Sequence, residues 1–443
     1  MEHKEAIDLL EKHMHVLQNA PDDYTPLLNY IGNASLVLLG EATHGTHEFY
    51  EARAQITKRL IQEKGFTQIA IEGDWPDAYR VNQYIHQRTA TSAVHALSDF
   101  KRFPAWMWRN AEMVHFIEWL RIHNTNVREN HKVGFYGLDL YSLHRSMELV
   151  VTELEKFDQV SAQKARERYA CFDAFPDPQY YGHHATLYPN DSCRQAVLDQ
   201  LVALQKKELD FYRECAMPAR ECQLYIEQNA LVVANAEHYY RSLFEGHRAA
   251  SWNIRDAHMA QTVDALLKFG VRGNESPKIV IWAHNSHLGN ASATQMASFG
   301  EINVGQLLKE RYGAKVVSVG FSTYHGTVSA ASNWGSAVER KIVRPALQGS
   351  YEALFHELPF EKVVLFTHDD ERIKQLLAPE RLQRAIGVIY LPERERASHY
   401  FYASLPAQFD VMIHFDTTHA LEPLDKSAEW EQGELPETYP FGT

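Results

Sequence analysis

The strongest constraint in this chain is a recurring pattern of short apolar runs, each stopped by a glycine, acid or histidine and followed by a helical stretch. Residues 35–39 read SLVLL and stop at Gly40. Residues 48–64 then show helical spacing that Gly65 should terminate. A second buried run, QIAI at 68–71, leads into Glu72-Gly73-Asp74-Trp75 and a helix opening at Pro76. A helix over about 110–125 precedes a third run, 133–136, which ends in Gly137-Leu138-Asp139. Strand, loop, helix, strand in this order predicts an α/β fold with a mostly parallel central sheet and flanking helices.

The middle of the chain breaks the pattern. Residues 142–160, 162–170, 192–215 and 219–244 read as helices, with a loop rich in Pro, Tyr and His (FPDPQYYGHHATLYPND) between them. Strand signals return at 278–282, 315–319, 363–366, 386–391 and 411–415, for about eight strands in all. The expected organisation is a first α/β part over 1–141, a long helical insertion over 142–250 acting as a lid or wall, a second α/β part over 251–420, and an acidic tail over 421–443. The tail, with six acids against one lysine and three prolines, is expected to be extended and solvated.

Composition excludes several classes. A chain of 443 residues with 45% hydrophobic and 23% charged residues can bury about three-quarters of its surface, so disorder is ruled out. A formal charge of -13 argues against a nucleic-acid partner. No run of about 18 apolar residues exists to cross a membrane. The first residues (MEHKEAIDLLEKHMHVLQ) lack the apolar core of a signal peptide. Cys171, Cys193, Cys215 and Cys222 form no Cys-x-x-Cys pair and are expected as thiols in a reducing compartment, which points to the cytoplasm. The sequence is silent on oligomeric state.

Ligands of open parallel sheets bind beyond the carboxyl ends of the strands. The expected exits carry Glu41-Ala42-Thr43-His44, Glu72, Asp139, His284-Asn285-Ser286-His287, His325, and Asp416 with His419. So many titratable groups on one edge indicate an active site. His44 suits a general base, with Glu41 or Glu72 fixing its tautomer. His284 and His287 could hold substrate, stabilise an oxyanion or protonate a leaving group. Arg53 could pair with the carboxylates or meet a substrate oxygen. Trp106-Met107-Trp108-Arg109 could line an apolar pocket, and Tyr180, Tyr181, His183 and His184 a lid. Arg255 and Asp256 read as ordinary helix-start charges. There is no Gly-x-Ser-x-Gly elbow, no phosphate loop and no dinucleotide fingerprint. What remains is His and carboxylate chemistry on water. Zinc held by Glu41, His44, His47, Glu72, His284 and His287 is an alternative.

Leu-Gly-Glu41-Ala-Thr-His44-Gly-Thr, Glu48-Phe49, Arg53, Ile71-Glu72-Gly73, Gly137-Leu138-Asp139 and Trp282-Ala283-His284-Asn285-Ser286-His287 together resemble the erythromycin esterase family. The resemblance implies a hydrolase that opens macrolide lactones by water attack, with no covalent intermediate and no obligatory metal or other cofactor. By motif match it makes His44 the base, Glu41 and Glu72 its carboxylate partners, His284 catalytic, and Arg53 and His287 substrate-binding. The Gly45-Thr46-His47 that follows His44 resembles the broader branch, some of whose members are labelled succinoglycan biosynthesis proteins. A small-molecule ester or lactone is the implied partner. A non-catalytic role in polysaccharide production is the alternative.

Overall fold

The computed structural model describes residues 3–89, 91–246, 249–271 and 277–433. Its strands are β1 (Met14–Val16), β2 (Leu36–Leu39), β3 (Gln68–Asp74), β4 (Gly134–Asp139), β5 (Ile279–Trp282), β6 (Val316–Ala330), β7 (Glu339–Val343), β8 (Lys362–Phe366), β9 (Arg381–Arg384), β10 (Tyr400–Ala403) and β11 (Val411–Thr418). One mixed sheet has the order β1-β8-β11-β6-β2-β5-β3-β4, with β7 also paired to β6; β9 and β10 form a separate hairpin. From β11 to β4 every neighbour is parallel, while β1 and β8 add antiparallel pairs at one side.

The unbroken apolar runs reflect burial on both faces. In β2, Val37 and Leu39 pack with the helices His47–Lys64 and Ala111–Asn126 on one side. Leu36 and Leu38 pack toward Ala250–Gly270 and Val304–Tyr312 on the other. Val280 and Trp282 of β5 divide from Ile279 and Ile281 in the same way. The helix His47–Lys64 ends where expected, with Gly65 in the left-handed conformation and its N–H on the Leu60 carbonyl.

The helices between Leu143 and Ser242 pack around Ala219–Ser242, the longest of them, and share one apolar core with the second sheet face. They enclose two disulfides, Cys171–Cys193 and Cys215–Cys222, with Cα atoms 5.8 and 6.4 Å apart. The expected thiols are therefore paired. Spacing concealed this because turns between helices bring each pair together. Among the described residues no helix is long and apolar enough to cross a membrane.

Four expectations about strands and tail are corrected. β6 runs for 15 residues, so Tyr324, His325 and Gly326 lie within a strand rather than past its end. β11 likewise carries Asp416 inside it. The run 386–391 is no strand: Ile386 makes one bridge to Thr43 and Ile389 one to Ala331. Ile386 and Tyr390 pack instead with Val328 and Ala330 of β6 and Val343 of β7, and Val388 lines a cleft. The tail is docked rather than solvated as far as it is described. Leu421 is buried, and the Trp430 indole donates to Ser329 Oγ at 2.7 Å. Residues 434–443 of that tail lie outside the described residues.

If both disulfides form, the denatured but unreduced protein should show no thiol to a colorimetric reagent. Reduction should then expose all four. Four thiols before reduction would contradict the pairing.

Candidate active site

The exits of four adjacent strands, β2, β5, β3 and β4, meet at one edge of the sheet. Two tight approaches set their spacing. A Cβ on Gly40 would stand 2.1 Å from Asn285 Oδ1, and one on Gly45 would stand 1.8 Å from the Ser329 carbonyl oxygen. Glycine at these points lets the turn carrying His44 press against β5 and β6. Asn285 locks the junction: its backbone N–H donates to the Glu41 carbonyl at 2.8 Å and its Nδ2 to the Phe321 carbonyl at 2.7 Å.

His44 Nδ1 donates to Glu41 Oε1 at 2.9 Å. The other Glu41 oxygen accepts from Arg53 Nη2 at 2.6 Å. Arg53 is fully buried, with its guanidinium over the rings of Tyr50 (4.3 Å) and Trp282 (4.9 Å). Arg53 therefore stands behind Glu41 and does not line the cleft, unlike the expected substrate contact. With Nδ1 committed to Glu41, Nε2 is the His44 nitrogen left to take a proton.

Glu72 has other partners than the one expected. Its Oε1 accepts from Arg255 Nη2 at 2.8 Å and lies 3.3 Å from His287 Nε2. Its Oε2 accepts the His284 backbone N–H at 2.8 Å. No hydrogen bond joins it to His44. Burial would raise its pKa, but His287, His44 and Arg255 outweigh that and hold it well below the carboxylate range. Arg255 also makes a two-pronged pair with Asp139, at 3.0 and 2.7 Å. On the far side of His287, Nδ1 donates to Asp256 at 2.9 Å, and Trp252 stacks on the ring at 4.5 Å. Burial disfavours charge on His287, yet Asp256 and Glu72 prevail and raise its pKa to about 9.

His284 has the opposite character. Burial, then His44 beside it, lower its pKa to about 3, so it is neutral at pH 7. The ring centroids of His44 and His284 are 4.8 Å apart. The Ser286 backbone N–H donates to His284 Nδ1 at 3.2 Å, which assigns the ring proton to Nε2. That Nε2 is buried without a well-aligned hydrogen bond among the described residues, and the Ala42 carbonyl lies close enough to act on it weakly.

His44, Glu72, His284 and His287 line a cleft of about 470 Å³. Its apolar wall is Phe100, Met107, Trp108, Val388 and Phe401, so part of the Trp106–Arg109 run does reach it. Among the described residues of 142–250 none does; those helices cover the sheet instead of forming the expected wall. Tyr181 is buried within them, and the 180–184 stretch is a helix rather than a lid. His47 turns away to Glu112 (2.6 Å), and His419 pairs with Glu48 (2.6 Å). His325 and Asp416 also lie outside the cleft.

Sequence reasoning passed over Arg255 and Asp256. The available signal was that Asp256, His258 and Thr262 recur on the buried face of Ala250–Gly270, where apolar residues belong. Among the described residues no three His, Cys, Asp or Glu side chains converge as a metal-ligating set.

Residues 61–418 match the erythromycin esterase family model. The chain belongs to the erythromycin esterase family. Glu41, His44 and Arg53 precede the matched span. An erythromycin esterase type II of Escherichia coli is 23% identical over 368 residues, covering 77% of this chain and 84% of that protein. A putative hydrolase of Bacillus subtilis (strain 168) is 21% identical over 72% of this chain and 71% of its own. Among solved structures, a succinoglycan biosynthesis protein superposes with a TM-score of 0.78 at 21% identity, covering 95% of this chain and 98% of that one. The erythromycin esterase EreC, as a mutant in an open conformation, gives 0.65 at 18% identity, covering 93% and 96%. These likenesses extend the shared fold across nearly the whole chain.

Two of the cleft histidines, His287 and His284, impose opposite pH limits on stability. Folded His287 holds its proton up to about pH 9 while the unfolded group loses it near 6.5, so its contribution fades as pH rises through that window. Folded His284 stays neutral down to about pH 3 while the unfolded group gains a proton near 6.5, so stability falls as pH drops below 6.5. Melting temperature against pH should fall on both sides. Asp256→Asn should flatten the upper limb; a limb unchanged in this variant would refute the assignment to His287.

Proposed function

We propose that this protein hydrolyses an ester or lactone of a small molecule by direct attack of water. Support comes chiefly from one juxtaposition: a histidine held by a carboxylate stands beside a second, neutral histidine whose buried Nε2–H has no well-aligned partner among the described residues. The first can take a proton, and the second can donate a hydrogen bond.

In this reading a water molecule is oriented by His44 Nε2 and attacks the carbonyl carbon. His44 takes the proton, and Glu41 stabilises the imidazolium that forms. Arg53, from behind, fixes the Glu41 carboxylate and so acts as a positioning residue. The carbonyl oxygen becomes an alkoxide and accepts from His284 Nε2–H, a donor aimed at charge that exists only in the transition state. Collapse breaks the bond to the alcohol oxygen, which receives the proton from His44. The products are a carboxylic acid and an alcohol, or a single hydroxy acid from a lactone. Glu72, His287 and Arg255 hold the β5 exit on which His284 rides.

The cleft is of the size and apolar character that suit a drug-sized substrate. The name of the E. coli relative makes macrolides the first compounds to try. Incubation with a panel of macrolides and simple lactones should convert at least one, seen by mass spectrometry as the gain of one water. His44→Ala should lower that rate by about 10²–10⁴. His284→Ala should lower kcat by about 10²–10³ with less effect on KM. Near-native turnover in His44→Ala would refute the base assignment.

A further inference from the structure

The turn that carries His284 holds a hydroxyl to which the proposed chemistry gives no task. Ser286 lines the cleft, half-buried on the single helical turn Asn285–Leu288. Its Oγ lies 2.8 Å from His284 Nδ1, and its backbone N–H donates to the same nitrogen at 3.2 Å. The ring nitrogen that accepts this N–H carries a lone pair, so the hydroxyl also donates to it. The turn is clamped from outside. Asn303 Nδ2 donates to the Ser286 carbonyl at 2.7 Å and also to the Gly289 carbonyl, while Asn303 Oδ1 accepts the Gln306 N–H at 2.9 Å. At the other nitrogen of the ring, Nε2 is close to the Ala42 carbonyl at the β2 exit. That carbonyl already accepts the Ile386 N–H at 2.8 Å, so it holds Nε2–H only loosely.

We propose that Ser286 is a positioning residue for hydrolysis: its hydroxyl donates to His284 Nδ1 and so keeps the ring proton on Nε2, where it can meet the oxygen of a reacting carbonyl. The proposal rests on the reading of this cleft as a hydrolytic site and adds the group that readies His284 for its part. A neutral imidazole carries one proton, and either nitrogen can hold it. Burial, then the adjoining His44, keep the ring neutral; Ser286 decides which nitrogen keeps the proton. In the other tautomer Nδ1–H would meet the Ser286 N–H donor to donor. The Nε2 lone pair would then face the Ala42 carbonyl oxygen and offer nothing to an oxyanion. The backbone bond to Nδ1 is long, and the hydroxyl supplies the shorter one. Asn303, by holding the Ser286 carbonyl, keeps both donors of Ser286 turned toward the ring.

The test reads the tautomer first, without substrate. Histidine labelled with nitrogen-15 in both ring positions is incorporated into the full chain, and the rings are observed by long-range proton–nitrogen correlation at pH 7. The His284 ring is identified by its absence from His284→Gln. The wild type should show a bare Nδ1 and a protonated Nε2. Ser286→Ala should draw the two nitrogen shifts toward each other, because loss of one such hydrogen bond moves the tautomer balance about three- to tenfold. Ser286→Thr, which keeps the hydroxyl, should restore the wild-type pattern. Unchanged signals from the other histidine rings show that the variants are folded. With whichever compound of the macrolide and lactone panel is hydrolysed, Ser286→Ala should lower kcat about three- to tenfold with little change in KM, and Ser286→Thr should recover the rate. If no compound is hydrolysed, the hydrolytic reading falls, and the spectra alone decide whether Ser286 places the His284 proton. A proton on Nδ1 in the wild type, or a spectrum or kcat of Ser286→Ala equal to the wild type, would overturn the proposal.

Discussion

The edge of the sheet is organised around one buried carboxylate, Glu72. Three donors from two segments converge on it: Arg255 from the helix Ala250–Gly270, and the His287 ring and the His284 backbone N–H from the turn just past β5. An isolated carboxylate in such a place would cost many kcal/mol or take up a proton. Satisfied on every side, it stays charged and fixes where β5 turns. The position of His284 follows from that bond, and through Asn285 so does the turn that carries His44. Removing one partner of such a buried cluster typically costs about 3–5 kcal/mol, because the others are left uncompensated.

The same cluster separates the two histidines chemically. His284 and His287 lie on one turn of chain and are both wholly buried, yet their pKa values move in opposite directions. His287 faces two carboxylates and keeps its proton. His284 receives a backbone N–H on one nitrogen, faces another histidine, and stays neutral. A neutral imidazole with a proton on its free nitrogen can donate to a developing oxyanion. A charged one in the same place would need its own counter-ion and would bind ground-state anions instead. The divergence of the pair is therefore what fits His284 for its proposed task, and the price is a second shell of carboxylates around His287.

Local signals were legible where the chemistry is local. The apolar runs at 36–39, 68–71, 134–136 and 279–282 could be read because parallel strands covered on both faces must be apolar throughout. His44 with Glu41, and His284 with His287, were visible because each pair follows one strand end. Long-range pairings left no such trace. Arg255 and Asp256 read as ordinary helix-start charges, since their partners are 116 or more positions away for Arg255–Asp139 and 31 away for Asp256–His287. The cysteine pairs, the extension of β6 past Val319, and the docking of Trp430 on Ser329 likewise depend on partners that spacing does not reveal.

This division also separates what the fold conserves in space from what it leaves to vary. The proton-handling groups stand on strand exits, where a shift of one residue would move every side chain to the other face. The walls of the cleft come from segments without that restraint: the loop around Phe100–Trp108, the stretch after His287, the irregular run at 385–388, and the hairpin of β9 and β10. Trp334, 64% exposed at the rim and edge-on to Phe103 at 4.9 Å, belongs to this class. Exits fixed by the sheet can keep one reaction while walls borne on loops and the hairpin set which apolar substrate fits.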